Sequence, residues 1–275
     1  MGVRHSARSI AGAGLVLASL LVSIPVTAAE CGNGPAGFPA WLKDFKVEAE
    51  RAGIRRKVVN GALNGMSYHS RVISLDRGQK SFKLSFDQFY ARRVNDAMIS
   101  RGKRLIKQNA GLFRALEKRY GVPAPILVAI WGLETGYGAN SGKMNVIRSL
   151  ATLAYDCRRS DFFTNELINA LAIVQRGDMS PAEMRGAWAG EIGQTQFLAS
   201  SYMRFAVDHD GDGRRDLISS VPDVLGSTAN YLMAYGWQRG GSWEPGTNNY
   251  EVLRQWNRAS VYVQTISVMA DKLSR

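Results

Sequence analysis

The stretch ILVAIWGLETGYGAN, residues Ile126–Asn140, decides how this chain is read. Ile126, Leu127, Val128, Ala129, Ile130, Trp131 and Leu133 are apolar on nearly every helical face. A helix opened by Pro125 with that composition belongs at the centre of a core. One carboxylate, Glu134, closes the run, and Gly132, Gly136 and Gly138 crowd around it. Glycines let another backbone or a ligand approach closely. A carboxyl at the end of so apolar a helix is partly desolvated, which raises its pKa and lets a protonated form persist near neutral pH. A general acid for a glycosidic oxygen needs that property. A buried glutamate paired with Arg148 or Arg158 would show the same pattern, so this stretch alone leaves both readings open.

Working outward, helical spacing dominates. It begins at Trp41, Phe45 and Val47 and continues through RAGIRRKVVNGAL, punctuated by Gly61 and Gly65. Between Ser85 and Tyr120, the apolar residues Met98, Leu105, Leu112, Phe113, Leu116 and Tyr120 recur at three-, four- and seven-residue steps, and basic residues cover the other faces. Gly121 ends that region and VPAPI starts the next helix. FTNELINALAIVQRG, DVLGSTANYLMAYGW and NYEVLRQWNRASVYVQTISVMADKL read as further helices. Strand signals are few and no repeat is evident. The expectation is one mainly helical domain.

The totals bound the function. At 275 residues, 45% hydrophobic and 21% charged, the chain can bury a substantial core and is not disordered. Its formal charge of +12 suits nucleic acid, an anionic membrane surface or an anionic polymer. Arg4 and Arg8 precede an apolar run from Ile10 to Val26 and the small residues of VTAAE. This reads as a signal peptide over residues 1–29, cut after Ala28 or Ala29, rather than as a retained anchor. Glu30 speaks against lipid attachment at Cys31. Removing Arg4 and Arg8 with the leader takes the charge from +12 to +10. Export argues against a nucleic-acid partner, and no transmembrane segment is expected after cleavage. The two cysteines, Cys31 and Cys157, suggest one disulfide in an oxidising compartment. Two separate thiols are the alternative.

Two more patches carry chemistry. GAWAGEIGQTQFLASSY, Gly186–Tyr202, sets Gln194, Thr195, Gln196, Ser200, Ser201 and Tyr202 among small residues, as a sugar-binding cleft would, and places Glu191 there as a possible second carboxylate. A capped glycine-rich turn would look similar. In DHDGDGRRDL, Asp208, Asp210 and Asp212 stand at positions one, three and five of an EF-hand-like loop, with Gly213 at the turn. Arg214 offers its carbonyl and Asp216 stands at position nine. Position twelve is Ser219, so Asp223 would have to supply the late carboxylate. The expectation is a structural Ca²⁺ ion, against a polar turn with no metal. With only His5, His69 and His209, a histidine-based zinc site or a Ser-His-Asp triad has little to draw on.

VAIWGLETGYG, WAGEIGQTQFLASSY, VDHDGDGRRDL, GSTANYLMAYGW and LRQWNRASVY, in that order, resemble the lytic murein transglycosylases of the membrane-bound B type, from about Trp41 to Leu273. The resemblance implies a catalytic domain over residues 30–275, with a lysozyme-like helical core, peripheral helical lobes and a Ca²⁺-binding EF-hand-like loop. It implies cleavage of the β-1,4 bond between N-acetylmuramic acid and N-acetylglucosamine in peptidoglycan, leaving 1,6-anhydromuramoyl ends. Glu134 matches the single acid that then acts as base. Tyr137, Gln196, Tyr231, Asn257 and Tyr262 match sugar contacts. A basic surface suits glycan strands bearing peptide carboxylates, and the periplasm is the expected location.

Three departures stand out. Ala187 replaces a common serine, Trp256 replaces a common tyrosine before Asn257, and Glu191 stands where some members carry alanine. Glu191 keeps a hydrolytic, two-carboxylate muramidase open as an alternative. A catalytically dead, Ca²⁺-dependent wall-binding protein is the alternative from a different class, against which the intact Glu134 argues.

Overall fold

The computed structural model describes residues 1–2, 29–78 and 84–275. The expected signal peptide lies almost wholly outside the described residues. The described chain is mainly helical, as expected, with two-residue strands β1 (Met144–Asn145) and β2 (Arg185–Gly186) paired antiparallel.

The centre is α7 (Ala124–Thr135), in which every residue from Ile126 to Leu133 is buried. An all-apolar helix has no face to offer water and is covered on all sides. Here α5 (Asp96–Gln108), α6 (Ala110–Tyr120), α11 (Val221–Ala234) and α13 (Ser260–Ser274) pack around it. A second group forms beside it: α8 (Val146–Tyr155) and α9 (Ser160–Arg176) pair closely, and α1 (Phe38–Arg51), α2 (Arg56–Leu63), α3 (Ser70–Gly78) and α10 (Ala199–Phe205) lie against them. The remaining helices are α4 (Phe86–Arg93), packed on α13, and α12 (Asn248–Trp256). Among the described residues, no helix is long and apolar enough to cross a membrane.

Several breaks fall where periodicity did not place them. RAGIRRKVVNGAL does not simply continue α1, which ends at Arg51: Gly53 adopts φ +92° in the turn that follows, and α2 begins at Arg56 with Gly61 inside it. The long amphipathic stretch is three helices, α4, α5 and α6, with Asn95 capping α5 through Met98 N at 2.9 Å. The last apolar run also divides, at Asn257–Ala259, into α12 and α13. Asn257 Oδ1 accepts the Ala259 amide at 3.0 Å and competes there with the helical ladder.

Cys31 and Cys157 form a disulfide with a Cα–Cα distance of 5.0 Å. It anchors the N-terminal segment beside α8, where Gly32 N also donates to the Tyr155 carbonyl at 2.8 Å.

Candidate active site

Glu134 sits on the last turn of α7, and the backbone reverses directly after it. Gly136, Tyr137 and Gly138 take φ of +60°, +62° and +80° in succession. Left-handed geometry is easy for glycine and costs about 1–3 kcal/mol for another residue, so Tyr137 is held there by its surroundings. Its hydroxyl donates to the Met98 carbonyl at 2.8 Å, and its ring packs edge-on against Trp131. Gly138 also has no room for a side chain, since a Cβ would meet Gln194 Oε1 at 2.4 Å.

The 186–198 loop lies across the end of α7 and is bonded to it. Gln194 Oε1 accepts the Trp131 indole N–H at 2.8 Å, and the Gln194 carbonyl accepts the Thr135 hydroxyl at 2.6 Å. Between them opens a cavity of about 340 Å³, lined chiefly by Glu134, Glu191, Gln196, Tyr231, Trp256 and Asn257. A second depression that also includes Glu134 carries Arg92, Arg93 and Asn140. Polar side chains among aromatic rings suit a ligand of many hydroxyls and amides.

Neither Arg148 nor Arg158 pairs with the acid. Arg148 is bonded to Ser67 and Tyr68, and Arg158 to Asp76. Glu134 Oε1 instead accepts two hydrogen bonds, from the Tyr262 hydroxyl at 2.6 Å and from Trp256 Nε1 at 3.0 Å. Both donors converge on one oxygen, which leaves Oε2 to carry a proton. Burial pushes the Glu134 carboxyl above its ordinary range. The Tyr262 and Trp256 hydrogen bonds and the Arg93 charge pull the other way, and the charge of Glu191 adds to the rise. The net direction is upward, toward a protonated acid.

The other expected contacts divide. Gln196, Tyr231 and Asn257 line the cavity. Gln196 is left-handed, at φ +56°, with its amide donating to the Gly193 carbonyl at 2.7 Å. The Tyr231 hydroxyl donates to the Gln255 carbonyl at 2.6 Å, leaving its ring to the cavity. Tyr137 lies with its ring buried and its hydroxyl committed to the Met98 carbonyl, where it supports the turn. Tyr262 approaches Glu134 with its ring buried and its hydroxyl bonded to the acid. In the Gly186–Tyr202 patch, Gln194, Thr195 and Tyr202 are buried and Ser200 bonds to Glu166, so Gln196 and Ser201 are the uncharged polar members that reach the cavity, beside Glu191. Spacing did not foretell the Trp256 bond to Glu134, although its place beside Asn257 marked it as unusual.

The acidic loop between α10 and α11 gathers four carboxylates, of Asp208, Asp210, Asp212 and Asp223, with oxygens within 4.8 Å of one another. Asp223, at the start of α11, is buried, and burial pushes its carboxyl up despite amide hydrogen bonds from His209 and Asp216. Asp216 is not in the cluster: its Oδ1 accepts the Ile218 and Ser219 amides, both at 2.8 Å, and shapes the exit turn. The Arg214 guanidinium turns to the Asp178 carbonyl at 3.0 Å, which leaves its own carbonyl as the candidate ligand. An all-oxygen set of this kind fits a hard divalent cation.

Fold and site together define a lysozyme-like helical domain whose cavity is walled by two carboxyls, Glu134 at the end of α7 and Glu191 on the 186–198 loop. The chain belongs to the transglycosylase SLT domain family, which matches residues 37–247. It is 42% identical over 122 residues to membrane-bound lytic murein transglycosylase B of Escherichia coli (strain K12). That match covers 44% of this chain and about a third, 34%, of that protein's length. The structure is similar to that of SltB3 from Pseudomonas aeruginosa in complex with NAG-anhNAM-pentapeptide: TM-score 0.82, 30% identity, 86% of this chain and 79% of that chain. It is also similar to the soluble lytic transglycosylase SltB1 from Pseudomonas aeruginosa, with a TM-score of 0.79, 26% identity, and 85% and 98% of the two chains covered.

Proposed function

We propose that this chain cleaves the β-1,4 bond between N-acetylmuramic acid and N-acetylglucosamine in peptidoglycan without water, forming a 1,6-anhydromuramoyl end. The observation that carries the reading is Glu134: a carboxyl raised by burial at the cavity wall, with Oε1 held by Tyr262 and Trp256 and Oε2 free for a proton. Glu134 gives that proton to the N-acetylglucosamine oxygen as its bond to C1 of the muramic acid breaks. The resulting carboxylate takes the proton of the C6 hydroxyl, whose oxygen bonds to C1, and Glu134 ends as it began. The two hydrogen bonds to Oε1 strengthen when the carboxylate forms, which stabilises the charge developing in the transition state. That SltB3 was solved with an anhydro-sugar ligand supports this product class.

Arg92 and Arg93 beside the acid suit a strand bearing peptide carboxylates. The four-carboxylate loop would hold Ca²⁺ in a structural role, pinning α10 to α11 away from the chemistry. With the N-terminal leader read from sequence, the site of action is the periplasm, which N-terminal sequencing of the exported protein tests by a start at Ala29 or Glu30.

The functional test is mass spectrometry of fragments released from purified peptidoglycan. Fragments lighter by one water and lacking a reducible end are expected, with none from Glu134→Gln. Glu191 in the same cavity favours one second reading, hydrolysis, and reducible muramic acid ends would establish it.

A further inference from the structure

Glu191 shares the cavity with Glu134 but has no part in the proton path above. Its backbone is fixed. Ala187 N donates to the Glu191 carbonyl at 3.1 Å, and Ile192 bridges both Gly186 and Phe197. A side chain at Gly186 is excluded, because a Cβ there would meet the Glu191 carbonyl oxygen at 1.9 Å. The fold therefore places this carboxyl at the cavity wall. Its Oε2 is buried and has no hydrogen-bond partner. An unmet buried acceptor is costly, and such an exception calls for a reason.

We infer that Glu191 is a positioning residue for the acid: its carboxylate, formed in the same cavity, holds the proton on Glu134 and extends glycan cleavage to higher pH. The inference rests on Glu134 being the acid. Four elements bring groups to bear on Glu134: Tyr262 from α13, Trp256 at the end of α12, Arg93 at the end of α4, and Glu191 from the 186–198 loop. The first three favour the carboxylate, and Glu191 opposes it. Two like charges in one poorly solvated cavity disfavour each other, so the pair titrates as a coupled unit. Burial itself raises Glu191, offset in part by the Ala189 and Glu191 amides and by Arg159. Arg159 is committed elsewhere, 2.6 Å from Asp76, and does not neutralise Glu191 by direct pairing. As pH rises, ionisation of Glu191 therefore strengthens the grip of Glu134 on its proton when that proton would otherwise be lost.

The test is the pH profile of soluble fragment release from purified peptidoglycan for the wild type, Glu191→Gln and Glu191→Asp. The basic limb is expected to move to lower pH in Glu191→Gln and to return toward the wild-type position in Glu191→Asp, which keeps the charge. The indole of Trp256, bonded to Glu134, gives a readout without turnover. The pH titration of its fluorescence, identified by subtraction of a Trp256→Phe variant, should move in the same direction. Should Glu191→Gln fail to fold, Glu191→Ala must show the same displacement. Superimposable basic limbs or an unmoved indole titration would overturn the inference. Residual cleavage by Glu134→Gln is a separate failure and strikes the assignment of the acid.

Discussion

Replacing Tyr262 by phenylalanine isolates what the hydrogen bond to Glu134 contributes. The ring is buried and packs edge-on against Phe89 at 6.1 Å, so the variant keeps the packing and loses the hydroxyl. That hydroxyl lies 2.6 Å from Oε1, beside the Trp256 donor at 3.0 Å. A hydrogen bond to a neutral carboxyl is worth about 0.5–1.5 kcal/mol, and one to a carboxylate about 1.5–3 kcal/mol. Catalysis gains the difference, about 1–1.5 kcal/mol, because the charge appears only as Glu134 gives up its proton. At about 1.4 kcal/mol per factor of ten, the maximal rate should fall roughly 5- to 12-fold. The hydroxyl also pulls the Glu134 pKa down, so its loss should move the basic limb to higher pH. The assay is the initial rate of soluble fragment release across pH. A maximal rate within about twofold of wild type, or a limb displaced to lower pH, would rule out this role for the Tyr262 hydroxyl.

Other outcomes follow from the same geometry. Glu134→Gln should lose activity by a factor of about 10²–10⁴ or more, the usual contribution of a general acid, measured on the same substrate. Its thermal stability relative to wild type should also rise with pH. The native carboxyl binds its proton more tightly than the unfolded one, so wild-type stability declines above the unfolded pKa and through the folded one. The gap in Tm between variant and wild type should therefore widen from acid to neutral pH. Replacing Cys31 and Cys157 by serine opens a closure spanning 126 positions, for which loop entropy gives a loss of about 5 kcal/mol. A denaturant midpoint shift equivalent to less than about 1 kcal/mol would place the constraint elsewhere. Ca²⁺ at about one hundred times its Kd should stabilise the wild type by about 2.7 kcal/mol, and Asp223→Ala should abolish that gain in thermal scans.

Much of this was legible in the chain. A segment apolar on every face, Ile126–Leu133, could only be a central helix, and the glutamate ending it could only be half-buried. The cysteine pair and the alternating aspartates were equally plain, because a crosslink needs two thiols and a carboxylate cluster needs close spacing. What eluded the sequence was direction. Tyr137 and Tyr262 were matched to sugar contacts by resemblance, yet each commits its hydroxyl inward, one to the Met98 carbonyl and one to Glu134. Gln194 and Gln196 stand two residues apart. One clamps Trp131 and the other reaches the cavity, because Gln196 takes a left-handed conformation that pattern reading does not reveal.

Local periodicity and apolar composition are properties of neighbouring residues, and they already marked the protein as helical, with α7 at its centre and a partly desolvated Glu134 at the end of that helix. The surroundings of that carboxyl are set instead by packing between distant parts of the chain. Trp256 and Tyr262 lie 122 and 128 positions away, and Glu191 is 57 positions away on a loop fixed by close backbone contacts. Their influence on one proton depends on distances and orientations that the break at Asn257–Ala259 and the left-handed turn after Glu134 create. Such long-range geometry is set by how the helices pack, not by the spacing of residues along the chain.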